Sequence, residues 1–327
     1  MVSDHHPRTL LHAYPGLAPG GRSFYAKHEH HSPIRSFKGR GPLYAFSRLD
    51  EDERRRGVVS ASTGNHGQGI GWAGRTFGVA TTVFTPRSTP QVKKRAMRAQ
   101  GVELIEIDGN LEEAARQAHE LADAEGRVFI EDGDHAGLMA GAASIGFEIL
   151  EEVPRPEILV VPVGGANLIA AVSLVVRELS PRTRIVGVQS EAAPAVHDSL
   201  LAGEVRTGSC ETMAGGLATS VPGVLSFSVI KDTVNEICLV SEDELCAATL
   251  RMLDLTGQLL EPAAAAPLAA VERYGAEWGP GGVVAILSGG NIALDQLRDL
   301  LVGADPGASE SPPELKSPAG IADDLRE

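Results

Sequence analysis

Short runs of β-branched and other apolar residues recur along the chain, and most are followed by a longer stretch in which apolar positions return every three or four residues. The runs predict strands at residues 23–27, 58–60, 81–85, 103–107, 128–130, 158–163, 184–188, 237–240 and 283–287. The longer periods predict amphipathic helices at 111–125, 138–152 and 243–255, the last opened by Ser241 with Glu244 three residues on, a capping box. Strand and helix patterns in alternation are the mark of βαβ units and a mostly parallel sheet. About nine strands are many for one simple open sheet, so the pattern predicts two sheets in two lobes.

Composition narrows the function classes. The chain has 327 residues, 43% of them hydrophobic and 4% aromatic, and a formal charge of −14. Nucleic-acid binding draws its affinity from Lys and Arg on phosphates, so a nucleic-acid partner is not expected, nor is an anionic membrane surface. The longest apolar run, residues 168–176, falls far short of the ~20 residues that span a bilayer, and the first seventeen residues lack the apolar stretch of a secretory signal. Three cysteines, Cys210, Cys238 and Cys246, form no CxxC pair, and the histidines show no zinc-ligand intervals. A cytoplasmic, reducing location is the expectation. The segment after Gly303 is proline-rich and aperiodic and reads as a disordered tail. Between Arg54 and Val102 there is no acid, while nine bases occur. This stretch reads either as a solvated basic helix around 91–100 or as a lobe that attracts a carboxylate.

Three glycine-rich turns follow expected strands: Ser62-Thr-Gly-Asn-His-Gly-Gln-Gly69, Gly164-Gly-Ala-Asn167 and Ser288-Gly-Gly-Asn291. A strand entering a helix through such a turn is where backbone N–H groups converge on an anion. Gly69-Ile-Gly-Trp-Ala-Gly74 formally matches a dinucleotide fingerprint, but its glycines fall inside the expected helix and no acid follows until Glu103. The match is read as chance. Lys38 stands beside Phe37 and is flanked by Arg35 and Arg40, and cations held near a lysine favour its reactive neutral amine.

Ser36-Phe-Lys-Gly-Arg-Gly, Ser62-Thr-Gly-Asn-His-Gly-Gln-Gly, Val163-Gly-Gly-Ala-Asn-Leu and Ser288-Gly-Gly-Asn, in this order and at these separations, resemble the serine/threonine dehydratase group of fold-type II (tryptophan synthase β-like) pyridoxal-phosphate enzymes. The resemblance spans about residues 7–301. Further support comes from Gly215-Gly-Leu-Ala and Leu260-Glu-Pro-Ala-Ala-Ala-Ala, while His12-Ala-Tyr-Pro-Gly and Tyr25-Ala-Lys-His-Glu-His-His resemble a bacterial branch of threonine or hydroxyectoine-utilisation dehydratases. It implies a two-lobed α/β fold, each lobe a mostly parallel twisted sheet flanked by helices. A large cofactor-binding lobe would take residues 1–56 and 131–302, and a small substrate-closing lobe 57–130.

The resemblance also implies roles. Lys38 would hold pyridoxal 5'-phosphate covalently and later take the substrate's α-proton. Phe37 would pack on the ring, Asn65 would bond its phenolic oxygen, and backbone N–H groups of Gly164, Gly165, Ala166 and Asn167 would hold the phosphate. Ser288 would face the pyridine nitrogen, where a neutral hydroxyl favours expulsion of a β-hydroxyl over long-lived carbanion chemistry. Ser62, Thr63 and His66 would receive the substrate carboxylate, with Thr63 also facing the reacting centre and His66 as a second-choice general base. The implied activity is β-elimination of a β-hydroxy amino acid, L-threonine or L-serine, to a 2-oxo acid and ammonia, by a homodimer without an appended regulatory domain. Alternatives are a dehydratase of a related hydroxy amino acid, a serine racemase, or a small-anion binder whose catalytic set has decayed.

Several positions depart from the group's pattern. Gln189 and Ala195 stand where metal-activated members have carboxylates, so no metal activation of that kind is expected. Thr63 replaces a serine of the racemases, which disfavours racemisation. Ala166 replaces a phosphate-loop glycine and would be strained if that position needs positive φ. Ala142-Ala143, Gly215-Gly216 and Gly39 also differ and imply a reshaped pocket.

Overall fold

A computed structural model describes residues 2–18, 20 and 22–303; the expected tail from 304 onward lies outside them. The strands are β1 (Leu11–Ala13), β2 (Phe24–His28), β3 (Val58–Ala61), β4 (Thr81–Pro86), β5 (Glu103–Ile107), β6 (Val128–Phe129), β7 (Ile158–Pro162), β8 (Arg184–Ser190), β9 (Glu236–Val240) and β10 (Val283–Leu287). The first seven helices are α1 (Arg40–Ser47), α2 (Glu51–Arg56), α3 (Asn65–Phe77), α4 (Gln91–Ala99), α5 (Leu111–Glu125), α6 (Ala136–Ala142) and α7 (Ser144–Glu152). They are followed by α8 (Asn167–Leu179), α9 (Ala195–Ala202), α10 (Val224–Thr233), α11 (Glu242–Thr256), α12 (Pro262–Tyr274) and α13 (Leu294–Gly303).

Two sheets form. The larger runs β1-β2-β10-β7-β8-β9 and the smaller β5-β4-β3-β6. Every pairing is parallel except β1 with β2. All nine expected strands occur; the tenth, β1, is a short exposed edge whose three residues carry no periodic signal. The expected helix at 138–152 is two helices that meet at Ala143, and the capping box at Ser241 and Glu244 forms as read.

Buried strands need covers on both faces, and the helices supply them. The alanine-rich α12 is almost wholly buried against one face of the larger sheet, while α8 and α7 cover the other. The core of the smaller sheet draws on residues outside 57–130: Leu43, Phe46 and Leu138 pack with Val58, Ile70, Val83 and Met97. A buried ionic knot ties β2 and the turn after it to α1 and α7. Arg40 donates to Glu29 at 2.8 and 2.9 Å and to Glu148 at 2.6 and 2.9 Å, and Lys27 reaches Glu148 at 2.6 Å. Although burial opposes it, the two cations hold the Glu148 carboxyl down to about 2. No helix among the described residues is long and apolar enough to cross a membrane.

Candidate active site

The three glycine-rich turns leave the C-terminal ends of β3, β7 and β10, where open α/β sheets bind ligands. A fourth segment joins them. The short 3-10 turn Phe37–Gly39 is opened by Ser36, whose Oγ accepts from Lys38 N, and is fastened to the turn after β10 by a bridge between Ser36 and Gly289 and by Phe37 N to Ser288 O at 3.0 Å. Phe37, Lys38, His66, Asp132, Ala142 and Asn167 therefore line one small cavity.

In that cavity the Lys38 ammonium donates to the Asp132 carboxylate and sits 5.4 Å from the Phe37 ring centre. Burial raises the Asp132 pKa, but the charge of Lys38 and its hydrogen bond outweigh it and hold the carboxyl below its ordinary value. His66 is buried, and that burial lowers its pKa. The Ser60 hydroxyl donates to Ile130 O at 2.6 Å, so at 3.0 Å its oxygen accepts from His66 Nε2. This assigns the proton to Nε2 and leaves Nδ1 bare, 3.6 Å from Asp132. Asp132 was missed at the sequence level, although an acid just beyond β6 lies on the ligand edge. The expectation about flanking cations needs correction in turn: the Arg40 guanidinium turns into the ionic knot and is neutralised by Glu29 and Glu148, while Arg35 bonds Gly290 O. The charge next to Lys38 is negative.

Asn65 opens α3, and its side-chain amide is fully engaged. Its Nδ2 donates to both oxygens of Glu261 at 2.9 and 3.2 Å, and its Oδ1 accepts from Asn291 Nδ2 at 2.8 Å. Burial raises the Glu261 pKa against the opposing effect of Asn65. Ser62 Oγ accepts from Gly64 N and Gly67 N, both at 3.0 Å, and so shapes the turn, while Thr63 is exposed at its tip. Lys93, from the acid-free stretch, reaches toward Gly64 on one side and Gly215 on the other, which places a cation at the cleft; its neighbour Lys94 is buried on Glu106 at 2.7 Å.

The turn at residues 164–167, expected to hold a phosphate, is strained and rich in unpaired donors. Ala166 adopts φ 73°, ψ 0°, so the strain expected of alanine there is real. With Arg35 at φ 56° it makes the pair of non-glycine residues at positive φ among those described, and both sit on this site. A Cβ on Gly164 would stand 2.5 Å from Gly216 O, so only glycine allows that approach. The first N–H groups of α8 have no partner within the helix, and Asn167 Nδ2 is buried with no hydrogen bond. An anionic group held by backbone amides matches this unmet set of donors.

Other departures have steric explanations. Gly39 is needed because a Cβ would lie 2.6 Å from the Trp72 ring. The glycines of the chance fingerprint serve helix packing: a Cβ on Gly69 would meet Lys38 O at 2.2 Å, and one on Gly74 would meet Thr81 at 2.5 Å. Gln189 Oε1 accepts from Val196 N and His197 N at 3.0 and 2.8 Å and so caps α9.

A second cluster brings together histidines that their spacing in the sequence did not single out. His28 at the end of β2 and His30 and His31 on the 3-10 turn Glu29–His31 bring one ring nitrogen each within 4.8 Å of one another. Fixed-interval spacing missed them because a tight turn folds adjacent residues onto one side. Burial, then the neighbouring rings, pushes His28 down to about 3; His30, mainly through burial, falls to about 4.

Residues 2–289 match the family described as pyridoxal-phosphate dependent enzyme. The chain is 38% identical to an L-threonine ammonia-lyase of Geobacter sulfurreducens over 284 residues, covering 86% of this chain and 71% of that one. The processed form of threonine deaminase isoform 2 from Solanum lycopersicum superposes with a TM-score of 0.86 at 31% identity, covering 93% and 90% of the two chains. Serine racemase from Dictyostelium discoideum gives 0.83 at 29% identity, covering 90% and 95%.

Proposed function

Because the chain belongs to the family of pyridoxal-phosphate dependent enzymes, we propose that it deaminates a β-hydroxy amino acid, L-threonine first and L-serine second, to a 2-oxo acid and ammonia. The observation that carries this reading is a small cavity lined by both Lys38 and Asn167, the residue that ends the donor-rich turn at the start of α8. Pyridoxal phosphate, when bound, supplies a conjugated ring that spreads negative charge from the substrate's α-carbon. Lys38 would hold it, with Phe37 against its face, Asn65 exchanging one of its present partners for a cofactor oxygen, residues 164–167 on the phosphate, and Ser288 at the ring nitrogen.

The chain's own groups then divide the work. Once free, the Lys38 amine takes the α-proton, and Asp132 stabilises the ammonium that results. Neutral His66 keeps its bare Nδ1 toward that pair. The Ser62–His66 turn at the start of α3 receives the substrate carboxylate, where the helix dipole favours negative charge, and Lys93 adds a full positive charge at the same edge. Thr63 is the substrate-facing hydroxyl. A lobe built on 57–130 closing over the cleft would exclude water, and a homodimer is the expected assembly.

The test is 2-oxo acid formation from a panel of hydroxy amino acids, with and without added pyridoxal phosphate. Turnover of threonine or serine supports the proposal. Turnover of neither overturns the substrate assignment, and interconversion of the serine enantiomers without oxo acid would favour a racemase.

A further inference from the structure

We propose that His28, His30 and His31 form a binding site for one late first-row divalent cation, with Zn2+ as its reference occupant. Three imidazoles converge there, and they belong to no part of the deamination machinery. His28 Nδ1 and His30 Nε2 are 3.5 Å apart. That nearly equals the separation of about 3.4 Å between two nitrogens bound tetrahedrally at 2.0–2.1 Å from zinc. His30 Nε2 and His31 Nε2 both point at Gln258 Oε1, at 3.0 and 2.8 Å, so an oxygen donor already stands on the open side. Three neutral nitrogens and one neutral oxygen select a borderline transition cation over Mg2+ or Ca2+, which want charged oxygens.

The outer contacts fit the same reading. The Tyr14 hydroxyl lies 3.2 Å from His28 Nε2, the nitrogen left over if Nδ1 binds metal, and such a contact fixes ring and tautomer in metal sites. His28 and His30 are buried and His31 is exposed, so the site has two preset ligands and an open door. A cation here would tie the end of β2 to Gln258, in the segment joining α11 to α12. The Cβ of His30 lies beside Gly290, immediately behind the turn that carries Ser288. The site would therefore brace the cofactor pocket from outside without touching a reacting atom.

The experiment uses the full-length chain stripped with a chelator, then titrated with ZnCl2 by calorimetry and followed by thermal unfolding. One equivalent should bind, and the unfolding midpoint should rise by about 4–8 °C at saturating metal. His31→Gln, at an exposed position, should keep the metal-free midpoint and weaken Zn2+ binding at least about tenfold, as should Gln258→Ala to a smaller extent. Absence of stoichiometric binding to the wild-type chain, or equal affinity in His31→Gln, overturns the site; in that case the rings form only a hydrogen-bond network around Gln258. Neither readout depends on turnover, so the result is independent of the proposed deamination.

Discussion

The Asp132 oxygen that accepts from the Lys38 ammonium is the same one that stands 3.6 Å from the bare Nδ1 of His66. A lysine, a half-exposed carboxylate and a buried neutral histidine thus share one proton's neighbourhood. Removing the carboxylate alone separates charge stabilisation from attachment of the cofactor. Asp132→Asn should retain the visible absorbance of bound pyridoxal phosphate yet lose at least about tenfold in kcat, equal to about 1.4 kcal/mol of barrier. An unchanged kcat would remove Asp132 from the scheme.

In the proposed function Lys38 carries the attachment itself. Lys38→Ala should abolish the visible band and lower 2-oxo acid formation by roughly 10²–10⁴, the usual contribution of a positioned base. Full turnover in that variant would overturn the assignment of the site.

Ala166 makes a test in the opposite direction. Its left-handed conformation costs an L-residue about 1–2 kcal/mol, partly offset by glycine's greater freedom when unfolded. Ala166→Gly should leave the unfolding midpoint unchanged or raise it by a few degrees, whereas Ala166→Val should lower it and weaken cofactor retention. A clear loss of stability with glycine would show that the strain is not there.

Gly39 and Trp72 are expected to behave as one unit. A methyl on Gly39 would meet the indole at 2.6 Å, so Gly39→Ala should cost about 1–3 kcal/mol by overpacking. Adding Trp72→Leu should recover much of that loss in a double-mutant cycle, and strict additivity of the two changes would deny the contact.

The pH dependence has a definite sign. His6 and His66 are both held neutral by burial, so their folded pKa values lie below the ordinary histidine value. Between that ordinary value, about 6.5, and the lower folded one, the unfolded chain binds more protons, and stability falls as pH falls. Each such histidine steepens the slope by at most about 1.4 kcal/mol per pH unit. Urea midpoints measured from pH 7 to pH 5 should decline in the wild type and decline less in His66→Gln. Parallel declines in the two proteins would contradict the burial argument.

Much of the architecture was legible because parallel strands buried on both faces leave near-continuous apolar runs, as in 158–163 and 283–287. The glycine turns were legible for a related reason: Gly164 and Gly69 mark places where one backbone touches another. What stayed hidden depends on side-chain direction. Arg40 lies two residues from Lys38 but points into a knot with Glu29 and Glu148, whereas Asp132, far away in sequence, supplies the neighbouring charge. The joint at Ala143 divides a helix that the apolar period alone would run straight through, and the histidine cluster depends on a turn too tight for spacing rules.

The place of β10 at the centre of the larger sheet has a consequence for how the molecule comes into being. Residues 283–287 lie between β2 and β7, so strands translated early wait for one of the last before the sheet is continuous. All four strands of the smaller sheet come from one contiguous stretch and can assemble while the ribosome is still at work. Ser288 and its turn emerge only after that, and they anchor the Lys38 segment through Phe37 and Ser36. The pocket is therefore a late product of synthesis, and nascent chains stopped short of β10 should be unable to retain the cofactor.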